Sequence, residues 1–176
     1  MIRHLPNAIT ASRGLCGPVV MLLLLEWGAN FAAFWLFLAA ISTDMLDGFL
    51  ARRLHAESEL ALFLDPFSDK LLTACAWFAL ALVGYAPVPL VALLLLRDLV
   101  VGTIWAWGSS RGKVWEPRPL GQTSVAFEAV AITVLLFHGP WMDVHWPTVG
   151  TVIGGIGFVL SMLQLLEYAW RRPGTP

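Results

Sequence analysis

The sequence predicts an all-α integral membrane protein, a bundle of six transmembrane helices that forms a single domain over residues 1–176. Two observations predict this class. Of the 176 residues, 58% are hydrophobic and 13% are charged, whereas soluble domains carry about 25% charged residues. In addition, six apolar runs approach the roughly 20 residues that cross a bilayer, and they leave too few residues for a separate soluble domain.

The first two runs lie near residues 6–27 and 31–52, and the segment Trp27–Asn30 separates them. The first run carries Arg13 and other polar residues in its first half, and it lacks a clear small-residue cleavage site. We therefore expect it to remain as a transmembrane helix rather than to act as a signal peptide.

The third and fourth runs lie near residues 66–84 and 87–108. Asp65 followed by Pro66 predicts the start of the third helix, because an N-cap carboxylate and a proline at the first helical position are typical of helix starts.

The last two runs lie near residues 123–139 and 147–170. Gly150 and Gly154 are four residues apart in the sixth run. This spacing of small residues favours close helix packing, either within the bundle or between subunits.

Basic residues predict the orientation of the six helices. The loops near 27–31, 84–88 and 139–147 contain no Lys or Arg. The other loops and the two termini contain, or directly border, Arg3, Arg52, Arg53, Arg111, Lys113, Arg118, Arg171 and Arg172. Because basic residues concentrate on the cytosolic side, we expect a multi-pass protein of the cell (cytoplasmic) membrane with both termini in the cytosol.

Four carboxylates interrupt the second and third apolar runs: Asp44, Asp47, Asp65 and Asp69. An ionised carboxylate is costly inside a membrane, which makes each a candidate functional residue. Oxygen donors without nearby Cys or His favour a hard cation such as Mg²⁺ or Mn²⁺. Four aspartates suffice for two such ions, a pair suited to phosphoryl-type transfer.

Small and basic residues accompany the first two aspartates. Gly48 and Ala51 fall on the same helical face as Asp44 and Asp47, which leaves room for a nucleotide against the helix. Arg52 follows at the cytosolic end, where its guanidinium can bind a phosphate oxygen. A divalent-cation transporter is the alternative from another class, but Gly48 and Arg52 suit a phosphate ligand better than a bare cation.

The spacing of these residues resembles the signature of the CDP-alcohol phosphotransferases, the class I CDP-alcohol phosphatidyltransferases among them: D-x2-D-G-x2-A-R-x8-G-x3-D-x3-D. It runs from Asp44 to Asp69, and Ala61 alone departs from it, replacing a glycine. The segment Asn7–Arg13 resembles the N-x-I-T-x2-R opening of family members that make glycerophospholipids.

The resemblance implies a role for each matching residue. Asp44, Asp47 and Asp65 would bind the two metal ions, and Asp69 would be both a ligand and the base that accepts the proton of the alcohol. The CDP-alcohol would contact Asn7, Thr10, Gly48, Ala51, Arg52 and Ser58.

The resemblance also implies the reaction. The phosphatidyl group of CDP-diacylglycerol would pass to an alcohol and CMP would leave, in a homodimer embedded in the bilayer and without a nucleic-acid partner.

The acceptor alcohol stays open between two candidates. The segments Asn7–Arg13 and Asp65–Lys70 resemble family members that use glycerol 3-phosphate, whereas Arg97–Asp98 and Pro119–Thr123 resemble equally those that use phosphatidylglycerol. We favour glycerol 3-phosphate. Its phosphate would need cationic partners, for which the candidates are Arg97, Arg111, Lys113 and Arg118.

Arg97 and Asp98 lie near the middle of the fourth run. Neighbours on a helix do not face each other, so we expect them to have separate partners, with Glu128 a candidate for Arg97.

Overall fold

The computed structural model describes the backbone of residues 5–54, 59–109, 119–138 and 144–170, and the side chains of 13–43, 67–104, 120–138 and 144–167. This part of the chain forms six α-helices and no β-strand, which confirms the all-α prediction. The helices are α1 (Leu5–Leu25), α2 (Asn30–Leu54), α3 (Glu59–Leu82), α4 (Val88–Ser109), α5 (Pro119–Phe137) and α6 (Trp146–Trp170).

The start of α3 differs from the prediction. The helix begins at Glu59, so Asp65 and Pro66 lie inside it and the predicted N-cap at Asp65 is wrong. Proline removes one N–H donor from a helix, and here the helix continues through that single lost bond. The residues of α3 before Asp65 are apolar except Glu59, but the pair Asp65 and Pro66, typical of helix starts, placed the predicted start after them.

Helix α1 packs against α2 and α3, and α5 packs against α6, with further contacts of α2 with α5 and of α4 with α3 and α6. Glycines permit several close approaches between helices. A Cβ atom on Gly17 would lie 3.0 Å from the Leu72 Cα, and one on Gly154 would lie 2.9 Å from the Trp77 ring. Gly150 likewise faces Leu135 and the Ala131 carbonyl of α5. The predicted close packing at Gly150 and Gly154 is therefore confirmed, within the protomer.

Buried residues separate into two halves of the molecule. The apolar half comprises the C-terminal parts of α1, α3 and α5 and the N-terminal parts of α2 and α4, and its largest buried side chains are Phe37, Trp77, Leu80, Leu94, Leu135 and Leu136. The polar half lies toward the other ends of these helices. It holds the buried polar residues Arg13, Ser68, Arg97, Ser124, Glu128 and Ser161.

The outer surface of the helices is strongly apolar. Large hydrophobic side chains are exposed on all six helices, with Leu15, Leu99 and Leu166 among them. Soluble monomers rarely expose such continuous apolar surface. Among the described residues, Leu120–Phe137 and Trp146–Glu167 are long and apolar enough to cross a bilayer. The chain is a membrane protein.

Candidate functional site

The four predicted aspartates lie on two consecutive helices at matching depth. Asp44 and Asp47 are ten and seven residues before the end of α2, and Asp65 and Asp69 are six and ten residues after the start of α3. At 1.5 Å per residue, each lies roughly 9–15 Å along its helix from the short connection between them. The signature thus spans two consecutive helices, with each pair of aspartates on one face of its own helix. The side chains of Asp44, Asp47 and Asp65 lie outside the described part.

Asp69 is held by an arginine from another helix. Its Oδ1 accepts a hydrogen bond of 2.8 Å from Nη1 of Arg13 on α1. The arginine side chain is 2% exposed and the aspartate side chain 43%. Next to them, Gly14 lets α1 approach α3, because a Cβ there would lie 3.3 Å from Ser68 Oγ. The carboxylate is therefore fixed from one side and accessible from the other.

A second set of charges begins at the residue after Asp69. Lys70 Nζ donates to Asp98 Oδ1 at 2.7 Å, and Arg97 Nη1 donates to the same oxygen at 2.5 Å. Arg97 Nη1 also lies 3.6 Å from Glu128 Oε1 on α5. We call Lys70, Asp98, Arg97 and Glu128 the charge chain. It links α3, α4 and α5 across the polar half.

The charge chain confirms one prediction and corrects another. Glu128 is a partner of Arg97, as predicted. The expectation that Arg97 and Asp98 have separate partners is wrong, because they contact each other directly. The rule that neighbours do not face each other concerns the directions in which side chains leave the helix. The arginine side chain is long enough to reach the carboxylate of the next residue in spite of that difference in direction.

The other predicted residues are placed only by their backbones or not at all. Asn7 and Thr10 lie on α1, two turns and one turn before Arg13, and Gly48, Ala51 and Arg52 lie on α2. Ser58, Arg111, Lys113 and Arg118 are outside the described residues. Of the predicted acceptor cations, Arg97 alone has a described side chain, and it is buried among Asp98, Glu128 and Ser124.

Sequence reasoning assigned no role to Arg13 or Lys70. Arg13 carries a signal of its own, because a cation within an apolar helix needs a partner. Lys70 entered the sequence analysis only as the last residue of the segment Asp65–Lys70, which resembles family members that use glycerol 3-phosphate.

The donor set fits a divalent-cation site. Asp69 presents an accessible carboxylate, and three further aspartates of the signature lie on α2 and α3 at comparable depth. Among the described side chains, no three His, Cys, Asp or Glu residues form a metal-binding group. Of the four signature aspartates, Asp69 alone has a described side chain.

Known proteins match this chain over most of its length. The family model of the CDP-alcohol phosphatidyltransferases matches residues 3–164. A CDP-diacylglycerol–glycerol-3-phosphate 3-phosphatidyltransferase of Pseudomonas fluorescens is 34% identical over 95% of this chain and 90% of its own length. Its namesake from Bacillus subtilis is 31% identical over 82% of both chains. A probable phosphatidylglycerophosphate synthase of Mycobacterium tuberculosis is 30% identical over 97% of this chain and 82% of its own.

Proposed function

Because the chain belongs to the CDP-alcohol phosphatidyltransferase family, we propose that it transfers the phosphatidyl group of CDP-diacylglycerol to glycerol 3-phosphate and releases CMP. The observation that carries the proposal is the acidic signature, whose last aspartate is anchored by Arg13 and still accessible. Relatives that this chain matches over most of its length are named for the same reaction.

We assign the residues of the signature as follows. Asp44, Asp47, Asp65 and Asp69 hold two divalent cations, Mg²⁺ or Mn²⁺. When bound, such ions neutralise a diphosphate and stabilise the oxygen that leaves. The CDP moiety lies against Asn7, Thr10, Gly48, Ala51, Arg52 and Ser58.

Asp69 acts as the base. Its carboxylate accepts the proton of the acceptor hydroxyl while that oxygen attacks the β-phosphorus of CDP-diacylglycerol. The bond between this phosphorus and the bridging oxygen breaks, and CMP leaves with that oxygen. The 2.8 Å contact with Arg13 supports this assignment, because it holds the carboxylate in one conformation before the substrate binds.

The arrangement in the membrane is part of the proposal. All six helices cross the cytoplasmic membrane, and both termini and the aspartates face the cytosol, where soluble acceptor is available. Exposed apolar side chains on every helix and the distribution of Lys and Arg support this orientation. The lipid product then stays in the bilayer. A homodimer stays a prediction. Gly150 and Gly154 pack against α5 and Trp77 of the same protomer, so these two glycines are not available for a subunit interface.

A direct assay tests the reaction and the acceptor together. Purified protein in detergent micelles receives CDP-diacylglycerol with either glycerol 3-phosphate or phosphatidylglycerol, and CMP and the lipid product are measured by mass spectrometry. We expect phosphatidylglycerophosphate from the first mixture, in the presence of Mg²⁺ or Mn²⁺ and not after chelation. Cardiolipin from the second mixture alone would make phosphatidylglycerol the acceptor. Turnover without any divalent ion would contradict the two-metal assignment.

A further inference from the structure

The three basic residues with described side chains, Arg13, Lys70 and Arg97, differ sharply in exposure. Lys70 has a side chain that is 45% exposed, whereas Arg13 and Arg97 are almost fully buried. Lys70 also directly follows Asp69, the proposed base. Among the described cations, it is therefore the one that a soluble anion can reach beside the reacting centre.

Arg97 is poorly placed for that role. Its guanidinium contacts two carboxylates, those of Asp98 and Glu128, and lies 3.5 Å from Ser124 Oγ. An incoming phosphate would have to displace buried partners and leave Glu128 without its counter-ion, which is strongly unfavourable. Arg97 therefore binds the side chains of Asp98 and Glu128 and does not bind the acceptor.

Lys70 has donors to spare. An ammonium group carries three N–H donors, and the described contact of Nζ is a single hydrogen bond to Asp98 Oδ1. Two donors can therefore point away from Asp98 toward a ligand. A lysine ammonium binds phosphate as a compact point charge.

Asp98 holds this ammonium in place. Its Oδ1 accepts from both Lys70 and Arg97, and its side chain is 16% exposed. Because Arg97 is in turn beside Glu128 of α5, three helices determine where Asp98 lies. The flexible side chain of Lys70, the residue after Asp69, is thereby held at a defined position before any acceptor binds.

We propose that Lys70 binds the phosphate of the acceptor and that Asp98 is the residue that positions it. This inference rests on the proposed function. The phosphate of glycerol 3-phosphate and its reacting hydroxyl are at opposite ends of a three-carbon molecule. Asp69 and Lys70 are consecutive on α3 and contact different neighbouring helices. An acceptor whose phosphate lies at Lys70 can therefore extend its hydroxyl across to the carboxylate of Asp69. A terminal phosphate dianion is also favoured over the singly charged phosphodiester of phosphatidylglycerol.

The test compares Lys70→Gln with Lys70→Arg, and Glu26→Gln serves as a control at an exposed position of the α1–α2 connection. We expect Lys70→Gln to raise the KM for glycerol 3-phosphate roughly tenfold to a hundredfold, as the loss of a charge-assisted hydrogen bond predicts. The KM for CDP-diacylglycerol should change less than twofold. Lys70→Arg should recover most of the acceptor affinity, and Glu26→Gln should match the wild type.

Asp98→Asn tests the positioning role. It keeps an oxygen acceptor but removes the charge, so we expect a higher KM for glycerol 3-phosphate, smaller than the effect of Lys70→Gln, with kcat largely retained. A fall in kcat at unchanged acceptor KM would overturn the positioning role.

Three outcomes overturn the role of Lys70: an acceptor KM within twofold of wild type in Lys70→Gln, an equal rise in both KM values, or unfolding of that variant in detergent. The first means that another cation binds the phosphate, and the others mean that Lys70 supports the bundle. Failure of the proposed function is a separate result, because the wild type itself would then form no phosphatidylglycerophosphate.

Discussion

The two halves of this molecule are stabilised by different interactions. In the polar half, Arg13–Asp69 and the charge chain place six charged side chains on four helices. In the apolar half, the helix ends meet through neutral groups. Asn30 Nδ2 donates to His138 Nε2 at 3.2 Å and to Tyr85 Oη at 3.4 Å, and the rings of Tyr85 and His138 are 3.7 Å apart.

The difference indicates that the apolar half mainly stabilises the bundle and that the polar half mainly positions charged side chains. Close van der Waals packing and hydrogen bonds between uncharged groups stabilise helix association within a bilayer, so the apolar half can supply stability. Buried ion pairs contribute little net stability against a hydrophobic alternative. In the polar half, the ion pairs instead hold charged side chains at defined positions on the helices around Asp69. Changes in the two halves should therefore affect different measurements.

The largest effect is expected from Asp69→Asn. The amide can neither accept the proton nor balance metal charge, so turnover should fall at least about 100-fold. The amide oxygen can still accept the hydrogen bond of Arg13, but this buried guanidinium loses its counter-ion, so the thermal midpoint in detergent should also fall, by less than full removal of the side chain would cause. Product formation and thermal unfolding measured on the same preparation check both parts. Near-normal turnover would remove Asp69 from the role of base.

Trp77→Ala should produce the opposite pattern. Trp77 is buried in the apolar half and packs against Gly154 of α6. Truncating a buried tryptophan costs about 3–5 kcal/mol of stability. At a temperature where the variant is folded, both KM values should stay within twofold of wild type. Val159→Ala on the exposed surface of α6 is the matched control, and a large change in KM for Trp77→Ala would contradict the division of tasks.

His138→Ala should give a smaller loss in the same half. The ring donates from Nδ1 to the Leu135 carbonyl, which leaves Nε2 as the acceptor for Asn30. Losing these bonds should cost about 1–2 kcal/mol. Thermal unfolding measures the cost, and kinetics at a permissive temperature should match the wild type. A specific rise in acceptor KM would show that the two halves are coupled.

Ala61→Gly should have the smallest effect, although it lies within the signature. The change restores the glycine of the family pattern at the third residue of α3. Glycine costs at most about 1 kcal/mol relative to alanine in a helix, and less near its end. We expect a folded, active enzyme with both KM values near those of wild type. Loss of activity would mean that this chain requires the alanine for its own backbone packing.

Much of this arrangement could be predicted from the sequence, because it depends on local patterns. Hydrophobic runs located the six helices, and the spacing of the signature assigned two aspartates each to α2 and α3. Glu128 was found as a partner of Arg97 because few charges exist in these runs. The start of α3 was missed because Asp65 and Pro66 together mimicked a helix start, so the apolar residues 60–64 before them were assigned to the cytosolic segment.

The contacts of Arg13 and Lys70 could not be predicted in the same way. Arg13 meets Asp69 across 56 residues, and Lys70 meets Asp98 across 28. Such pairs depend on which helices pack together and at what rotation. For Arg13 and Asp69, the close approaches of α1 to α3 at Gly14 and Gly17 set this register, and their effect cannot be read from a single sequence.

The contact between Arg97 and Asp98 has a consequence for how the protein is made. In the proposed six-span arrangement, α4 leaves the ribosome before α5, so Arg97 reaches the bilayer before Glu128 does. A lone arginine at that depth would oppose insertion. Asp98 on the same helix balances the charge of Arg97, so α4 can insert into the bilayer with no net charge at this pair. We therefore expect Asp98→Leu to lower the efficiency of co-translational insertion of α4, in addition to any effect on the finished enzyme.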